Sequence, residues 1–165
     1  MNLAPVIRPP VIVAPAAFAA PPQLSPDGRR NLIGLARDEL ALEMEVMGEK
    51  PFRAKQLWHW IYYRGVTDFA AITNLSKHFR AELEAQFVIA RPAISQDQKS
   101  ADGTRKWLLR MIDGQEVEAV HIPEADRGAL CLSSQVGCTL TCRFCHTGTQ
   151  KLARNLDAAE IVGQV

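Results

Sequence analysis

The sequence predicts an α/β class chain, α+β within its own extent. A small helical domain comes first, then a β-hairpin, then the first βα unit of a partial (β/α) barrel. Two observations predict it. Apolar residues recur every three to four positions through about residue 90, the helical period. From residue 104 they alternate, the strand period, and a cysteine cluster then stands between a short strand and a capped helix pattern. Of 165 residues, 47% are apolar and 22% charged, a balance that supports a packed core and excludes wholesale disorder. A net charge of +1 does not announce a nucleic-acid partner, so only a local basic patch could reveal one. No apolar run is long enough to span a bilayer, so no membrane partner is expected.

Residues 1–25 are read as a flexible Pro/Ala-rich tail. The apolar run 11–20 ends in Ala-Ala, loosely like a signal cleavage region, but Pro5, Pro9, Pro10, Pro15, Pro21 and Pro22 break the helix such a signal needs. The protein is therefore placed in the cytoplasm, where thiols stay reduced.

Residues 26–91 form the helical domain. The stretch 35–47 is rich in good helix formers, and Gly48 follows as a natural stop. Pro51 suits the first turn of a second helix, in which Ala54, Leu57, Trp58 and Ile61 make one stripe and Gly65 ends the run. Residues 68–72 read as a short helical turn. Asn74 or Ser76 caps a last helix carrying Leu75, Phe79 and Leu83.

Residues 92–165 change period. Along 104–111, Trp107, Leu109 and Met111 face one way and Lys106, Leu108 and Arg110 the other. Asp113-Gly114 signals a hairpin turn, and 117–122 is the return strand. Asp102-Gly103 marks another turn, so 93–98 is a third strand. Residues 129–133 form a short strand leading directly into the cysteine loop, and Asp157 caps a helix from about Ala158. The chain stops within that pattern, without a C-cap glycine, and is expected to be a piece of a longer protein.

All four cysteines lie between 131 and 145, too close together for a disulfide scaffold. Cys138, Cys142 and Cys145 stand at C-x3-C-x2-C spacing. Three soft thiolates can hold three corners of a [4Fe–4S] cube and leave one iron free for a small molecule. Zinc stays open on spacing alone, with Cys131 or His146 as a fourth ligand. His121 and His146 are each lone and are read as non-ligands. Phe144, just before the last cysteine, brings the motif close to the C-x3-C-x-aromatic-C signature of radical S-adenosylmethionine (SAM) enzymes.

A more specific resemblance follows. Cys131-Leu-Ser-Ser-Gln-Val-Gly-Cys138 joined to that motif, then Arg154-Asn-Leu and Glu160-Ile-Val-Gly-Gln-Val165, resembles the RlmN family. These are dual-specificity radical SAM methyltransferases that methylate adenine C2 in 23S ribosomal RNA and transfer RNA. The stretch 48–58 and Asn74-Leu-Ser-Lys77 resemble that family's N-terminal domain. Lys151-Leu152 stands where members often carry Gly-Phe. The family's later SAM-contacting strands and its methyl-carrying cysteine have no counterpart here.

The resemblance implies roles. Cys138, Cys142 and Cys145 are the cluster ligands, SAM is the second cofactor, and an electron donor reduces the cluster. Phe144 packs beside the cluster or the adenosyl group, or else is an ordinary core aromatic. Cys131 matches the cysteine that resolves the RNA-linked intermediate by forming a disulfide with the methyl-carrying cysteine; on its own residues it reads as a small buried hydrophobe. Glu118 matches the proton acceptor; on its own it reads as a solvated strand residue. In the helical domain Arg53, Lys55, His59 and Arg64 interleave with Trp58, Trp60, Tyr62 and Tyr63, a pattern that can grip phosphates and stack on bases, or else is core and solvated surface.

The expected activity is RNA adenine-C2 methylation by the full-length protein, with residues 1–165 alone inactive. Two alternatives stand beside it. One is a zinc-stabilised RNA-binding module using all four cysteines. The other is the sister adenine-C8 methyltransferase, which shares the cluster motif.

Overall fold

The structure, a computed structural model, describes residues 24–25, 27–140 and 142–165. The tail expected over 1–25 lies outside the described residues, apart from Leu24 and Ser25.

The N-terminal half opens with a two-residue strand β1 (Arg30–Asn31) and helix α1 (Arg37–Val46). The Glu39 carboxylate reaches back to accept from the Ala36 N–H at 2.6 Å, satisfying one of the orphan donors at the helix start. Leu40 and Met44, one turn apart, form its buried face. Helix α2 (Phe52–Trp58) runs on without a break into a π-helical turn, His59–Tyr63, in which Arg64 N–H donates to the His59 carbonyl. The expected stripe therefore continues through Leu57 to Ile61, both fully buried. A 3-10 turn, Phe69–Ala71, is capped by Asp68, which accepts from Ala70 N–H at 2.8 Å. Ser76 then caps α3 (Lys77–Gln86) by accepting from Phe79 N–H, and Phe79 and Leu83 face inward.

One element here was not expected. β1 pairs in parallel with β2 (Phe87–Val88). The buried Asn31 amide holds that seam. Its Oδ1 accepts from the Ala90 and Ile33 N–H groups, and its Nδ2 donates to the Ala90 carbonyl. A buried amide with these bonds is satisfied rather than costly. The core it closes includes Leu32, Leu40, Leu57, Ile61, Ile72 and Leu83. Each such side chain contributes roughly 1.5–3 kcal/mol of burial.

The second half is an antiparallel sheet of four strands in sequence order: β3 (Ala93–Lys99), β4 (Arg105–Arg110), β5 (Glu116–Pro123) and β6 (Gly128–Cys131). Gly114 takes φ +83° in the β4–β5 turn, as the Asp-Gly signal requires. Leu109 pairs with Val117 and Trp107 with Ala119, which puts the apolar face of both strands on one side. Leu109, Met111, Val117 and Ala119 pack there with Val136 and Leu156. The opposite face carries Lys106, Leu108, Glu118 and Val120.

The strand ahead of the cysteines differs from the expectation. β6 ends at Cys131 and pairs antiparallel with β5. It does not lead directly into the loop. A further strand, β7 (Gln135–Val136), intervenes and pairs antiparallel with β8 (Arg154–Asn155) beyond the loop. Helix α4 (Ala158–Val162) follows, with Asp157 and Glu160 in a reciprocal capping box. Gly163 stands at its C-cap, correcting the expectation of a helix without one; its φ is −64°, so the backbone there is right-handed.

The two halves meet closely. Gly34 has φ +90°, and a Cβ placed there would lie 2.4 Å from the Ala159 Cβ. Glycine is therefore required twice over, by backbone conformation and by the approach of α4. Arg91 bridges the halves, donating to the carbonyls of Ile61, Val66 and Val165.

Candidate functional site

The three clustered cysteines sit on one loop with a closed neck. Gln135 Nε2 donates to Asn155 Oδ1 at 2.8 Å, and Ala153 N–H donates to the Val136 carbonyl at 2.8 Å. Cys138 bridges to Lys151 across the neck. Gly137 has φ +76°, and a Cβ there would lie 2.1 Å from the Lys151 carbonyl oxygen, so only glycine lets the two sides of the neck touch. Inside the loop, Cys145 N–H donates to the Cys142 carbonyl and Gly148 N–H to the Cys145 carbonyl. Leu140 N–H points at the Cys138 sulfur from 3.3 Å.

All four cysteines are free thiols. Cys138 and Cys142 are half-buried, and Cys145 and Cys131 are exposed. Among the described residues no three His, Cys, Asp or Glu side chains are grouped closely enough to hold a metal ion. A zinc ion draws its ligands to within ~2.1–2.3 Å of one centre, whereas a cube takes each thiolate on a separate iron. Three soft thiols on one neck-closed loop fit the cube by donor chemistry. Of the two candidate fourth ligands for zinc, Cys131 lies on β6, outside this loop, and His146 lies on it.

Phe144 is 93% exposed in this chain. His146 precedes a 3-10 turn, Thr147–Thr149, and its carbonyl, rather than its ring, accepts from Thr149.

Glu118 and Cys131 lie on the same face of the sheet. Val120 is the register partner of Cys131, and Glu118 stands two residues before Val120 on β5. Lys106, on the neighbouring strand, donates to Glu118 Oε1 at 2.9 Å. Both side chains are about half exposed, so Glu118 is a paired, solvent-facing carboxylate in this chain. Ser133 Oγ donates to the Glu118 carbonyl, tying the segment after β6 back to β5. Cys131 is exposed in this chain.

Two further residues escaped the sequence reading. Period-two spacing puts Lys106 on the mixed face of β4 but does not show which cross-strand neighbour it meets, which is Glu118. Arg154 joins three elements. Its Nη1 and Nη2 donate to both oxygens of Glu160 at 2.6 and 2.7 Å, and its Nε donates to Asp113 at 2.7 Å. The two carboxylates raise the Arg154 pKa further, and the guanidinium holds Asp113 below the usual carboxylate range. The Asp157-x-x-Glu160 capping pattern was a signal for half of this arrangement.

The basic and aromatic set of the helical half divides. Trp58, Trp60 and Tyr62 pack against the core. The Tyr62 hydroxyl accepts from Gly34 N–H at 2.8 Å, and burial raises its pKa. Arg53 is held by Glu49 and Gln56. Tyr63 is exposed and stacks on His59 with centroids 4.8 Å apart and 23° between planes. Arg64 lies over Trp60 at 5.9 Å. Tyr63 and Arg64 border a cleft of about 380 Å³ that reaches Leu132, the neighbour of Cys131. None of the described helices is long and apolar enough to cross a membrane.

Comparison with known proteins places this geometry. Residues 30–89 match the family model described as ribosomal RNA large subunit methyltransferase N-terminal domain. The chain is 63% identical over 156 residues to the dual-specificity RNA methyltransferase RlmN of Acidiphilium cryptum (strain JF-5), covering 93% of this chain and 40% of that protein. It is 67% identical over 134 residues to the RlmN of Rhodospirillum rubrum, covering 81% of this chain and 31% of that protein. The chain thus spans about two fifths or less of the length of these relatives. Among solved structures, a radical SAM methyltransferase from Sphaerobacter thermophilus superposes with a TM-score of 0.74 at 38% identity, covering 81% of this chain and 40% of that one. The mixed helix-and-strand fold expected from the sequence is therefore shared with a radical SAM methyltransferase.

Proposed function

We propose, from the premise that this chain is a relative of the RlmN methyltransferases, that it carries the cluster-binding part of a radical SAM enzyme that methylates RNA. The substrate atom is adenine C2, in 23S ribosomal RNA and transfer RNA. One observation carries the reading: three free thiols at C-x3-C-x2-C spacing on a loop closed at its neck, in a chain 55–67% identical to proteins of that name. When bound, a [4Fe–4S] cluster supplies the electron that cleaves SAM.

The chain's own residues then have separate tasks. Cys138, Cys142 and Cys145 hold the cluster, and the closed neck keeps the loop in one place. Phe144, exposed beside Cys145, is an apolar wall available to the cluster or to the adenosyl group. Glu118 accepts the C2 proton of the adenine adduct, with Lys106 holding its carboxylate on the open face of the sheet. Cys131, on that same face and exposed, attacks the sulfur of the methyl-carrying cysteine of the full-length protein; the S–S bond forms as the S–C bond to the RNA-linked methylene breaks, and the electron pair left on that carbon takes up a proton to complete the methyl group. His59, Tyr63 and Arg64 contact the RNA. The helical half, residues 26–91, is the RNA-side domain, and residues 92–165 begin the catalytic barrel. A soluble protein of the cytoplasm, served by an electron donor, suits this chemistry.

The test is anaerobic reconstitution with iron and sulfide. The chain should turn brown and absorb broadly near about 400 nm, as thiolate-bound iron–sulfur centres do. Cys138→Ala, Cys142→Ala and Cys145→Ala should each lose the colour, and Cys131→Ala should keep it. One tightly held zinc that also requires Cys131 would establish the RNA-binding module instead. In the full-length protein, formation of 8-methyladenosine rather than 2-methyladenosine would establish the sister activity.

A further inference from the structure

The cysteine loop and the sheet bearing Glu118 and Cys131 are separate pieces of backbone. β7 and β8 are each two residues long, so the neck of the loop has little ladder of its own. Chemistry between the two pieces requires their separation to be fixed. Arg154 is the one side chain of β8 that reaches the hairpin, and it does so across 41 residues of sequence.

Its contacts are built rather than incidental. Glu160 is the single buried acidic residue among the described residues, and both its oxygens are taken by Arg154. One of those oxygens also accepts from Asp157 N–H, in the capping box of α4. The third arm goes to Asp113 in the β4–β5 turn, whose other oxygen accepts from Gln115 N–H. One guanidinium thus fixes the loop neck, the start of α4 and the tip of the hairpin. The planar fork suits that task, because lysine has no second and third donor in fixed directions.

We propose that Arg154 is a positioning residue for the cysteine loop, which it sets against the catalytic face of the sheet through Asp113 and Glu160. The part that concerns the cluster rests on the function proposed above; the tether itself does not. One strand, β5, separates Asp113 from the strand that bears Cys131, and β5 carries Glu118 five residues beyond Asp113, so a shift at the turn is passed along a continuous strand.

The experiment uses Asp113→Asn in the full chain. The amide keeps an oxygen for the Gln115 N–H and removes only the charge that Arg154 grips. Arg154→Lys serves as the second variant. Amide hydrogen exchange is followed in cluster-free protein, and the electron paramagnetic resonance of the reduced cluster is recorded after reconstitution. In Asp113→Asn, exchange at residues 135–155 should quicken about threefold, as loss of one partly exposed ion pair allows. Exchange at residues 32–89 should stay unchanged. Arg154→Lys should quicken exchange at 135–155 further, and both variants should broaden the cluster signal at unchanged iron content. Unchanged exchange at 135–155 in both variants overturns the tether. Faster exchange with an unaltered cluster signal overturns its positioning role. If wild-type protein takes up no iron and sulfide, the cluster assignment fails, while the exchange data still decide the tether.

Discussion

Glu118 and Cys131 share one face of the four-stranded sheet, two positions and one strand apart, and Leu109 and Val117 occupy the other face with the core. The sheet sorts its residues by alternation. Leu109, Val117 and Ala119, at odd positions of β4 and β5, are buried, whereas Glu116 and Glu118, at even positions of β5, are exposed and paired with Arg110 and Lys106 on the surface. Glu118 can therefore be altered without disturbing the fold. Glu118→Gln should lower 2-methyladenosine formation by the full-length protein about 10²–10⁴-fold, the usual range for removing a general base. Its unfolding free energy should change by less than about 1 kcal/mol, since the Lys106 pair is exposed. Mass spectrometry of modified RNA and a denaturant melt together check this. A large stability loss would make Glu118 a structural residue instead.

Two glycines with similar backbones should behave differently. Gly34 and Gly48 have φ of +90° and +77°. A Cβ at Gly48 meets nothing within 4 Å, whereas at Gly34 it runs into the Ala159 backbone. Gly48→Ala should cost roughly 1–2 kcal/mol from left-handed strain. Gly34→Ala should cost a further ~1–3 kcal/mol for overpacking and should loosen α4 from the helical half. Urea unfolding of the two variants measures the difference. Equal costs would mean that α4 does not press on Gly34.

What the sequence made legible follows from the range of the forces involved. The caps at Ser76 and Asp157, the Asp113-Gly114 turn and the stripe through Leu57 and Ile61 are local, and each was readable within a few residues. β1 and β2 were not, because two residues give no period and their pairing is 57 positions apart in register, Arg30 to Phe87. β7 and β8 escaped for the same reason. At the site, the cysteine spacing was visible, while the Arg154 tether depends on residues 41 positions apart. The aromatic set shows the limit most directly. Trp58 and Tyr62 turn inward, while His59 and Tyr63, one position on and spaced in the same way, stack on the outer face, and the spacing alone does not say which of the two pairs meets the core.

That division predicts opposite outcomes for adjacent tyrosines. Tyr62→Phe removes the acceptor of the Gly34 N–H and should cost about 1 kcal/mol of stability, with RNA affinity unchanged. Tyr63→Ala removes an exposed stacking ring and should weaken RNA binding by roughly 1–3 kcal/mol, with stability nearly unchanged. Filter binding to unmodified ribosomal RNA, paired with thermal melts, separates the two. Unaltered affinity in Tyr63→Ala would remove this surface from the RNA interface.

The acid limb of stability should report on the Arg154 tether. Asp113 is held below the usual carboxylate range, first by its hydrogen bond to Arg154 and then by the Gln115 N–H. Its folded pKa therefore lies below the unfolded value of about 3.9. A group shifted in this direction gives stability that is fully present above the unfolded pKa and is lost as pH falls through the folded one. Asp97 with Arg105, and Asp102 with Thr104, are shifted in the same direction, so the wild-type chain should lose stability below about pH 4 for several reasons at once. The difference between wild type and Asp113→Asn isolates one of them, because the other carboxylates are common to both. Denaturation midpoints measured from pH 7 to pH 2 should lie apart above about pH 4, with the wild type higher, and should converge as Asp113 protonates. Moderate salt should narrow the gap, since the pair is partly exposed and screened. Parallel curves down to pH 2 would mean that Arg154 gains nothing from Asp113, and that the hairpin tip is held to the loop neck by packing alone.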